Sequence, residues 1–175
     1  MIFLGIGSNL SSSFGDRFKN IDLSISLLES YQINIIKKSS FYETPSFPDK
    51  TKPKFINVVI SVNTNLPPVD LMSVLIFIEE KLGRKRNKKN DPRTCDLDII
   101  DYNSKILDFG YQNLNLNIPH KELSKRSFVL YPLREIYPDW IDPRTKKNID
   151  YLIKNLQSNN EITKLSENDI NTHVK

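Results

Sequence analysis

The residues most suggestive of chemistry are two aspartates, Asp96 and Asp98, within the mainly apolar run Cys95–Tyr102. This run predicts a β-strand, and alternation places both carboxylates on one face with Leu97 on the other. Their Cα atoms would lie roughly 6 to 7 Å apart. Two like charges this close repel each other unless a cation lies between them, and carboxylate oxygens suit one or two Mg2+ ions. Taken alone, the pair of aspartates fits the solvated polar face of an edge strand better than it fits a metal site.

A short basic segment precedes the aspartates. Residues 84–93 contain six basic side chains and one acidic residue, Asp91, whereas the whole chain has a net charge of only +4. Such a patch indicates binding to a nucleic-acid backbone or to a nucleotide triphosphate, or it is simply a solvated loop. Mg2+ is commonly held by carboxylates together with nucleotide phosphates, and arginine binds phosphate oxygens in pairs. The segment and the acidic pair together indicate a Mg-nucleotide phosphoryl-transfer site, although the sequence contains no P-loop or kinase-type glycine loop.

The elements around these residues follow the order strand, helix, strand, strand, helix, strand. The predicted strands cover 1–6, 33–42, 55–64 and 95–102, and amphipathic helices cover 15–29 and 69–82. This order predicts an α+β fold with a ferredoxin-like antiparallel sheet and both helices packed on one face. We also expect a strand at 105–108, paired with 95–102 through an Asn103-Ser104 turn, and helices at 128–137 and 149–156.

The composition fits one soluble, cytoplasmic domain. The 175 residues are 38% hydrophobic and 26% charged, which is sufficient for one core. No apolar run approaches the roughly 20 residues of a membrane span, and the N-terminus lacks the features of a secretory signal. The single cysteine, Cys95, fits a reducing compartment. We expect the domain to cover residues 1–156, followed by a polar and poorly ordered tail over 157–175.

Several short motifs lie between residues 2 and 137. They are Gly7-Ser8-Asn9-Leu10, Ser40-x-Tyr42-x-Thr44-Pro45, Phe55-x-Asn57, Gly83-Arg84-x-Arg86, Pro92-Arg93-Thr94-x-Asp96-Leu97-Asp98-Ile99, Pro119-His120 and Arg126-x-Phe128. In this combination the sequence closely resembles the 6-hydroxymethyl-7,8-dihydropterin pyrophosphokinase family of folate biosynthesis. The resemblance implies a ferredoxin-like fold and the transfer of diphosphate from ATP to the pterin hydroxymethyl group, with release of AMP.

The resemblance also implies roles around the nucleotide. Asp96 and Asp98 would hold two Mg2+ ions that bridge the phosphates of ATP, the co-substrate. Arg84 and Arg93 would stabilise charge on the transferring diphosphoryl group. A mobile catalytic loop over 84–92 would contribute Arg86 and Lys89. The other nucleotide contacts that the resemblance implies are Glu79, Ile99, His120 and Arg126.

A second set of residues would bind the pterin. The ring would stack between Phe55 and Phe128, and Asn57 would read its edge. Backbone groups around Thr44, Pro45 and Phe47 would complete this side. An aromatic sandwich suits a planar ring, and one amide both donates and accepts hydrogen bonds. Without the motifs, Phe55 and Phe128 would be interpreted as core residues.

Two other functions stay open from the residues alone. An RNA-binding module on the same topology would use the basic segment, but the sequence lacks the exposed aromatic pattern of such modules, and the acidic pair would face an anionic ligand. A Mg-dependent nucleotidyltransferase with another acceptor shares the acidic pair and the basic segment, and only the pterin residues argue against it. We expect ATP and the pterin as partners, with no nucleic acid, membrane or obligate protein partner.

Overall fold

The computed structural model describes residues 1–85, 91–111, 114–156 and 161–173. Its strands are β1 (Ile2–Ser8), β2 (Asn34–Lys38), β3 (Tyr42–Thr44), β4 (Phe55–Asn63), β5 (Asp96–Tyr102), β6 (Leu107–Tyr111), β7 (Leu114–Ile118) and β8 (Thr163–Lys164). Strand β1 lies between β5 and β4, and the other edge of β4 pairs with β2 and β3. All these pairings are antiparallel. The strand order is the ferredoxin-like arrangement that the sequence predicts.

Helices cover both faces of this sheet. They are α1 (Arg17–Ser30), α2 (Pro68–Lys81), α3 (Ser127–Ile136), α4 (Ile149–Lys154) and α5 (Glu167–His173), with a 3-10 turn at Leu123–Lys125 before α3. Among the described residues, no helix combines the length and the apolar character needed to cross a membrane.

Alternate residues of the central strands supply two hydrophobic cores. Leu4 and Ile60 belong to the core that includes α1 and α2, whereas Phe3 and Val59 belong to the core that includes α3 and α4. Successive side chains of a strand point to opposite faces, so the sheet is held from both sides. The predicted packing of α1 and α2 on one face is confirmed.

The sequence explains where the helices begin and end. The side chain of Asp16 accepts a hydrogen bond from Lys19 N at 2.8 Å and caps α1. Helix α2 begins at Pro68, which suits the first turn because proline has no N–H to leave unpaired. Gly83 follows α2 with a φ of +84°, a conformation that favours glycine, and this turn directs Arg84 toward β5.

Two predicted strands differ from the structure. The strand expected at 33–42 is interrupted, because Ser39 accepts a hydrogen bond from Val59 N through Oγ and donates its own N–H to Val59 O. The strand expected at 105–108 does not pair with β5. Of these residues only 107–108 are in a strand, at the start of β6, and β6 pairs with β7 in a separate two-stranded sheet. The turn at Asn103-Ser104 forms with both residues at positive φ, but the chain then leaves the edge of β5.

The expectation of a poorly ordered tail is wrong for residues 161–173. Strand β8 pairs with β3, with Tyr42 opposite Lys164 and Glu43 opposite Thr163. Leu165 is only 9% exposed and joins the core of the α1–α2 face. Burial of this apolar side chain and the strand pairing explain why a polar segment is ordered here.

Candidate active site

The candidate site forms where β1, β4 and β5 lie side by side. Gly7 is opposite Asn57 on β4 and Asp96 on β5. A methyl group on Gly7 would lie 3.2 Å from Asn57 Oδ1 and 3.6 Å from Phe55 Cδ1. Glycine is therefore needed at this position for both side chains to approach the strand. The hydrophobic core of the α3 face thus ends here in a polar row.

A cleft with a cavity volume of about 30 Å3 lies between this end of the sheet and the segment that enters α3. It brings together residues that lie far apart in the sequence. The predicted site residues that line it are Asn57, Asp96, Asp98, Ile99, His120, Arg126 and Phe128. Residues from both the predicted nucleotide set and the predicted pterin set therefore share one cleft.

Asp96 is held by two arginines. Arg84 Nη1 lies 2.5 Å from Oδ1, and Arg93 Nη2 lies 2.8 Å from Oδ2. Burial acts to raise the pKa of Asp96, but the guanidinium groups of Arg93 and Arg84 outweigh burial and lower the pKa below its usual range. Asp96 is therefore ionised at neutral pH. The Nε of Arg93 is buried without a hydrogen-bond partner among the described residues, so this guanidinium keeps an unused donor.

Asp98 is the less neutralised member of the pair. Its side chain is half-exposed, and its contact with Arg126 Nη1 is long at 3.4 Å. Partial removal from water and the charge of Asp96 raise the pKa of Asp98 above its usual range. The cleft therefore has a carboxylate whose negative charge is poorly compensated, which is the electrostatic condition for binding a cation.

Glu79 fixes Arg84 from beneath. Its carboxylate is 1% exposed, forms an ion pair with Arg84 and accepts a hydrogen bond from Leu97 N at 2.7 Å. A buried charge needs such partners, because desolvation is costly otherwise. In this structure Glu79 contacts Arg84 and β5 and does not line the cleft, so its direct contact with ATP stays a prediction.

His120 and Arg126 form the opposite wall. His120 Nε2 lies 3.0 Å from Arg126 Nη2, and Nδ1 accepts a hydrogen bond from Glu122 N. The guanidinium of Arg126 also lies over the ring of Phe128, and its carbon Cζ is 5.5 Å from the ring centroid. Burial and the positive charge of Arg126 lower the pKa of His120. The wall therefore presents a cation and a neutral imidazole to the cleft.

The donor atoms fit a hard divalent cation that a nucleotide helps to hold. Asp96 and Asp98 offer carboxylate oxygens from one face of β5. In the part of the chain that the structure describes, no three His, Cys, Asp or Glu side chains cluster as a metal site. Mg2+ commonly uses one or two carboxylates and completes its shell with phosphate oxygens and water. The residues present match this pattern.

Comparison with known proteins decides the family. A model of the 7,8-dihydro-6-hydroxymethylpterin-pyrophosphokinase (HPPK) family matches residues 3–138. The chain is 36% identical over 151 residues to the 2-amino-4-hydroxy-6-hydroxymethyldihydropteridine pyrophosphokinase of Synechocystis. The aligned region covers 86% of this chain and 73% of that protein. The chain belongs to the HPPK family. The protein with the same name from Aquifex aeolicus is 35% identical over 146 residues, covering 83% of this chain and 86% of that protein.

A solved HPPK structure supports the fold. The wild-type HPPK-DHPS of Plasmodium falciparum superposes with a TM-score of 0.69 over 87% of this chain, at 16% sequence identity. This chain covers 44% of that longer chain. The resemblance to HPPK seen in the sequence motifs is thereby confirmed for the family and for the fold class.

The predicted pterin residues lie partly in the cleft. Asn57 Nδ2 donates to Thr44 Oγ1 at 3.0 Å, so the amide is already oriented before any ligand binds. Phe128 lines the cleft, and the ring of Phe55 lies under Arg93, 5.0 Å from ring centroid to guanidinium carbon. Pro45 is half-buried beside Thr44. The stacking of a pterin between the two phenylalanines stays a prediction.

Other predicted residues are not brought into the cleft. Phe47 is 83% exposed, so a contact with the pterin would require its loop to move. Arg86 and Lys89 lie outside the described residues. Their proposed place in the catalytic loop stays a prediction.

Asn9 organises the candidate site, although the sequence analysis gives it no role. It is 2% exposed and its Oδ1 accepts a hydrogen bond from Arg93 N at 2.7 Å. Its Nδ2 donates to Ser46 Oγ at 3.2 Å and to Pro53 O at 3.0 Å. Asn9 therefore ties the segment of Arg93 to both ends of the loop over 46–53. Its place in the Gly7-Ser8-Asn9-Leu10 motif, directly after a strand, is the sequence signal that could have identified it.

Proposed function

We infer that this chain transfers diphosphate from ATP to 6-hydroxymethyl-7,8-dihydropterin and releases AMP, a step of folate biosynthesis. Membership of the HPPK family supports this function. The observation that carries it is a single cleft lined both by Asp96, Asp98 and Arg126 and by Asn57 and Phe128.

Arg84, Arg93 and Arg126 would bind the phosphates. Each of these guanidinium groups already contacts Asp96 or Asp98, so the three lie close to where a Mg-nucleotide would sit. We propose two Mg2+ ions on this aspartate pair, which would neutralise the phosphate oxygens. When ATP binds, the arginines exchange part of their contact with the carboxylates for phosphate oxygens, which suit a planar guanidinium.

In the reaction, the hydroxyl oxygen of the pterin attacks the β-phosphorus of ATP. A new bond forms between this oxygen and the β-phosphorus, and the bond from the β-phosphorus to the oxygen bridging to the α-phosphate breaks. AMP leaves with that oxygen, and the hydroxyl proton passes to water. Among the described residues of the cleft we assign no general base, so positioning and charge neutralisation by the arginines supply the catalysis.

The predicted pterin residues would orient the acceptor. Asn57 is held by Thr44, and its amide can present both a donor and an acceptor to the edge of the ring. We propose that the ring stacks between Phe55 and Phe128. Closure of the loop over 44–54 would bring backbone groups around Thr44, Pro45 and Phe47 to the edge of the ring, with the Phe47 side chain covering it. Closure of this loop and of the loop over 84–92 would exclude water and so limit the hydrolysis of ATP.

We further propose that residues 1–156 form the pyrophosphokinase domain, that residues 157–175 are an appended segment, and that the enzyme is cytoplasmic. The single cysteine, Cys95, is buried and free, which supports a reducing compartment. An acidic pair within the cleft disfavours an RNA ligand, because phosphates would meet carboxylates. ATP and the pterin are the partners that this account requires.

The test of this function is a single assay of the purified chain with MgATP and 6-hydroxymethyl-7,8-dihydropterin. We expect AMP to appear only when the pterin is present, together with a pterin product heavier by one diphosphate. Omission of Mg2+ should abolish both. Binding of MgATP without any pterin product would overturn the acceptor assignment and favour a nucleotidyltransferase that uses another acceptor.

A further inference from the structure

A tight turn at residues 142–147 lies outside the family match, which ends at residue 138, and contacts the backbone directly before His120. Asp142 is 4% exposed and organises the turn: its Oδ1 accepts from Arg144 N at 2.9 Å and its Oδ2 accepts from Thr145 Oγ1 at 2.7 Å. Its backbone N–H donates to Lys147 O at 2.9 Å. The turn is therefore rigid, and it presents the side chain of Arg144 in one direction.

Arg144 clamps the base of the β6–β7 hairpin. Its Nε donates to Pro119 O at 3.1 Å, and its Nη2 lies 2.9 Å from Asp108 Oδ1 and 3.5 Å from Ile118 O. Asp108 belongs to β6 and Ile118 ends β7, so one guanidinium joins both strands. The side chain is three-quarters buried, which strengthens charge-assisted hydrogen bonds of this kind.

The clamped backbone leads directly into the cleft wall. Pro119 precedes His120, and His120 Nε2 lies 3.0 Å from Arg126 Nη2. Arg126 in turn faces Asp98 at 3.4 Å. On the other side of His120, Leu123 is anchored in the core of the α3 face. The position of the His120 wall thus depends on Leu123 on one side, and on the buried side chain of Ile118 together with Arg144 on the other.

We propose that Arg144 is a positioning residue for the nucleotide half of the site. It acts through the carbonyl of Pro119, which sets the place of His120 and thereby the direction of the Arg126 guanidinium. Arg144 itself touches neither substrate. This proposal rests on the assignment of His120 and Arg126 to the nucleotide.

The test compares Arg144→Ala with Arg144→Lys. The alanine variant should weaken binding of Mg-α,β-methylene-ATP, measured by calorimetry, about tenfold, and should raise the KM for ATP similarly, because a charge-assisted hydrogen bond is lost. The KM for the pterin should stay within about twofold. Lysine keeps one charged donor without the planar fork of arginine, so Arg144→Lys should weaken nucleotide binding by only about threefold.

Two matched variants separate this role from general destabilisation. Arg134→Ala removes an exposed ion pair between Arg134 on α3 and Asp150 on α4, and it should change the KM for neither substrate. Asp108→Ala removes one partner of Arg144 but leaves the bond to Pro119, so it should weaken nucleotide binding less than Arg144→Ala does. Thermal melting of every variant shows how much stability each change costs.

Equal changes in both KM values, or a loss that follows the melting temperature across all variants, would overturn the proposal in favour of a purely structural role. Unchanged nucleotide binding in Arg144→Ala would also overturn it. If the wild-type chain bound the nucleotide analogue but formed no diphosphorylated pterin, the proposed acceptor would fail. The effect of Arg144 on nucleotide binding would still be measurable.

Discussion

Replacing Asn9 with alanine should damage both stability and catalysis. The change removes three side-chain hydrogen bonds, to Arg93 N, Ser46 Oγ and Pro53 O. Pro53 O keeps its hydrogen bond from Ser46 Oγ at 2.6 Å, whereas Arg93 N loses its partner at 2.7 Å. One unsatisfied buried donor and two lost bonds together lower the free energy of unfolding by about 2 to 4 kcal/mol.

The same change should loosen the backbone that places Arg93 beside Asp96, where Arg93 O keeps its hydrogen bonds from Asn9 N and Leu10 N. A misplacement of about 1 Å in a charge-stabilising group can cost up to about a hundredfold in rate. We therefore expect kcat to fall by about tenfold to a hundredfold. The KM for the pterin should rise as well, because the loop over 46–53 loses its tie. Urea denaturation and steady-state kinetics on the same preparation measure the two effects.

A core variant provides the control for instability alone. Leu28 is fully buried on α1 and belongs to the core of the α1–α2 face, and Leu28→Ala should cost about 2 to 5 kcal/mol. At temperatures where both variants stay folded, Leu28→Ala should keep near-normal kinetic constants. The reasoning about Asn9 is refuted if Asn9→Ala stays within about 0.5 kcal/mol of the wild type, or if its kinetic loss equals that of Leu28→Ala.

Three further predictions concern the edge of the sheet and its loop. Burial acts to raise the pKa of Glu135, but hydrogen bonds from Tyr42 and Ser40 outweigh burial and lower the pKa in the folded protein. The ionised carboxylate therefore stabilises the fold above the unfolded pKa of about 4.5, and this stabilisation is lost as the pH falls through the lower pKa of the folded state. The difference in unfolding free energy between wild type and Glu135→Gln, from urea titrations at several pH values, should therefore shrink below pH 4.5, and a constant difference contradicts this. Deletion of residues 157–175 should lower the melting temperature by several degrees, because it exposes the core around Leu165; an unchanged value means that the segment adds no stability. Phe47→Ala should leave the melting temperature unchanged but raise the KM for the pterin, and an unchanged KM excludes Phe47 from the pocket.

The parts of the fold that depend on local patterns could be predicted from the sequence. Alternation around Asp96 and Asp98 correctly places both carboxylates on one strand face, because the two-residue period of a strand is local information. The ends of α2 at Pro68 and Gly83 follow in the same way. Family motifs extended this to residues that share the cleft, such as Asn57 and His120.

The missed parts depend on partners that lie far along the chain. Strand β6 carries a strand pattern, but nothing within it states that it pairs with β7 and not with β5. The pairing of β8 with β3 joins Lys164 to Tyr42, and the few apolar residues of that segment, of which Leu165 and Ile170 pack on the core, give only a weak signal. Asn9 and Arg144 act on distant backbone carbonyls and amides, so their roles appear only in three dimensions.

The measurement that tests the central claim most directly is nucleotide binding by Asp98→Ala with and without Mg2+, beside the control Asp22→Ala. Asp98 is half-exposed with one long contact, whereas Asp22 pairs with Lys38 on the remote surface of α1, so both variants should fold normally. We predict that Asp98→Ala abolishes turnover and the Mg2+-dependent part of ATP binding, and that Asp22→Ala keeps both. Full activity or unchanged Mg2+-dependent binding in Asp98→Ala would contradict the assignment of this aspartate pair to the metal.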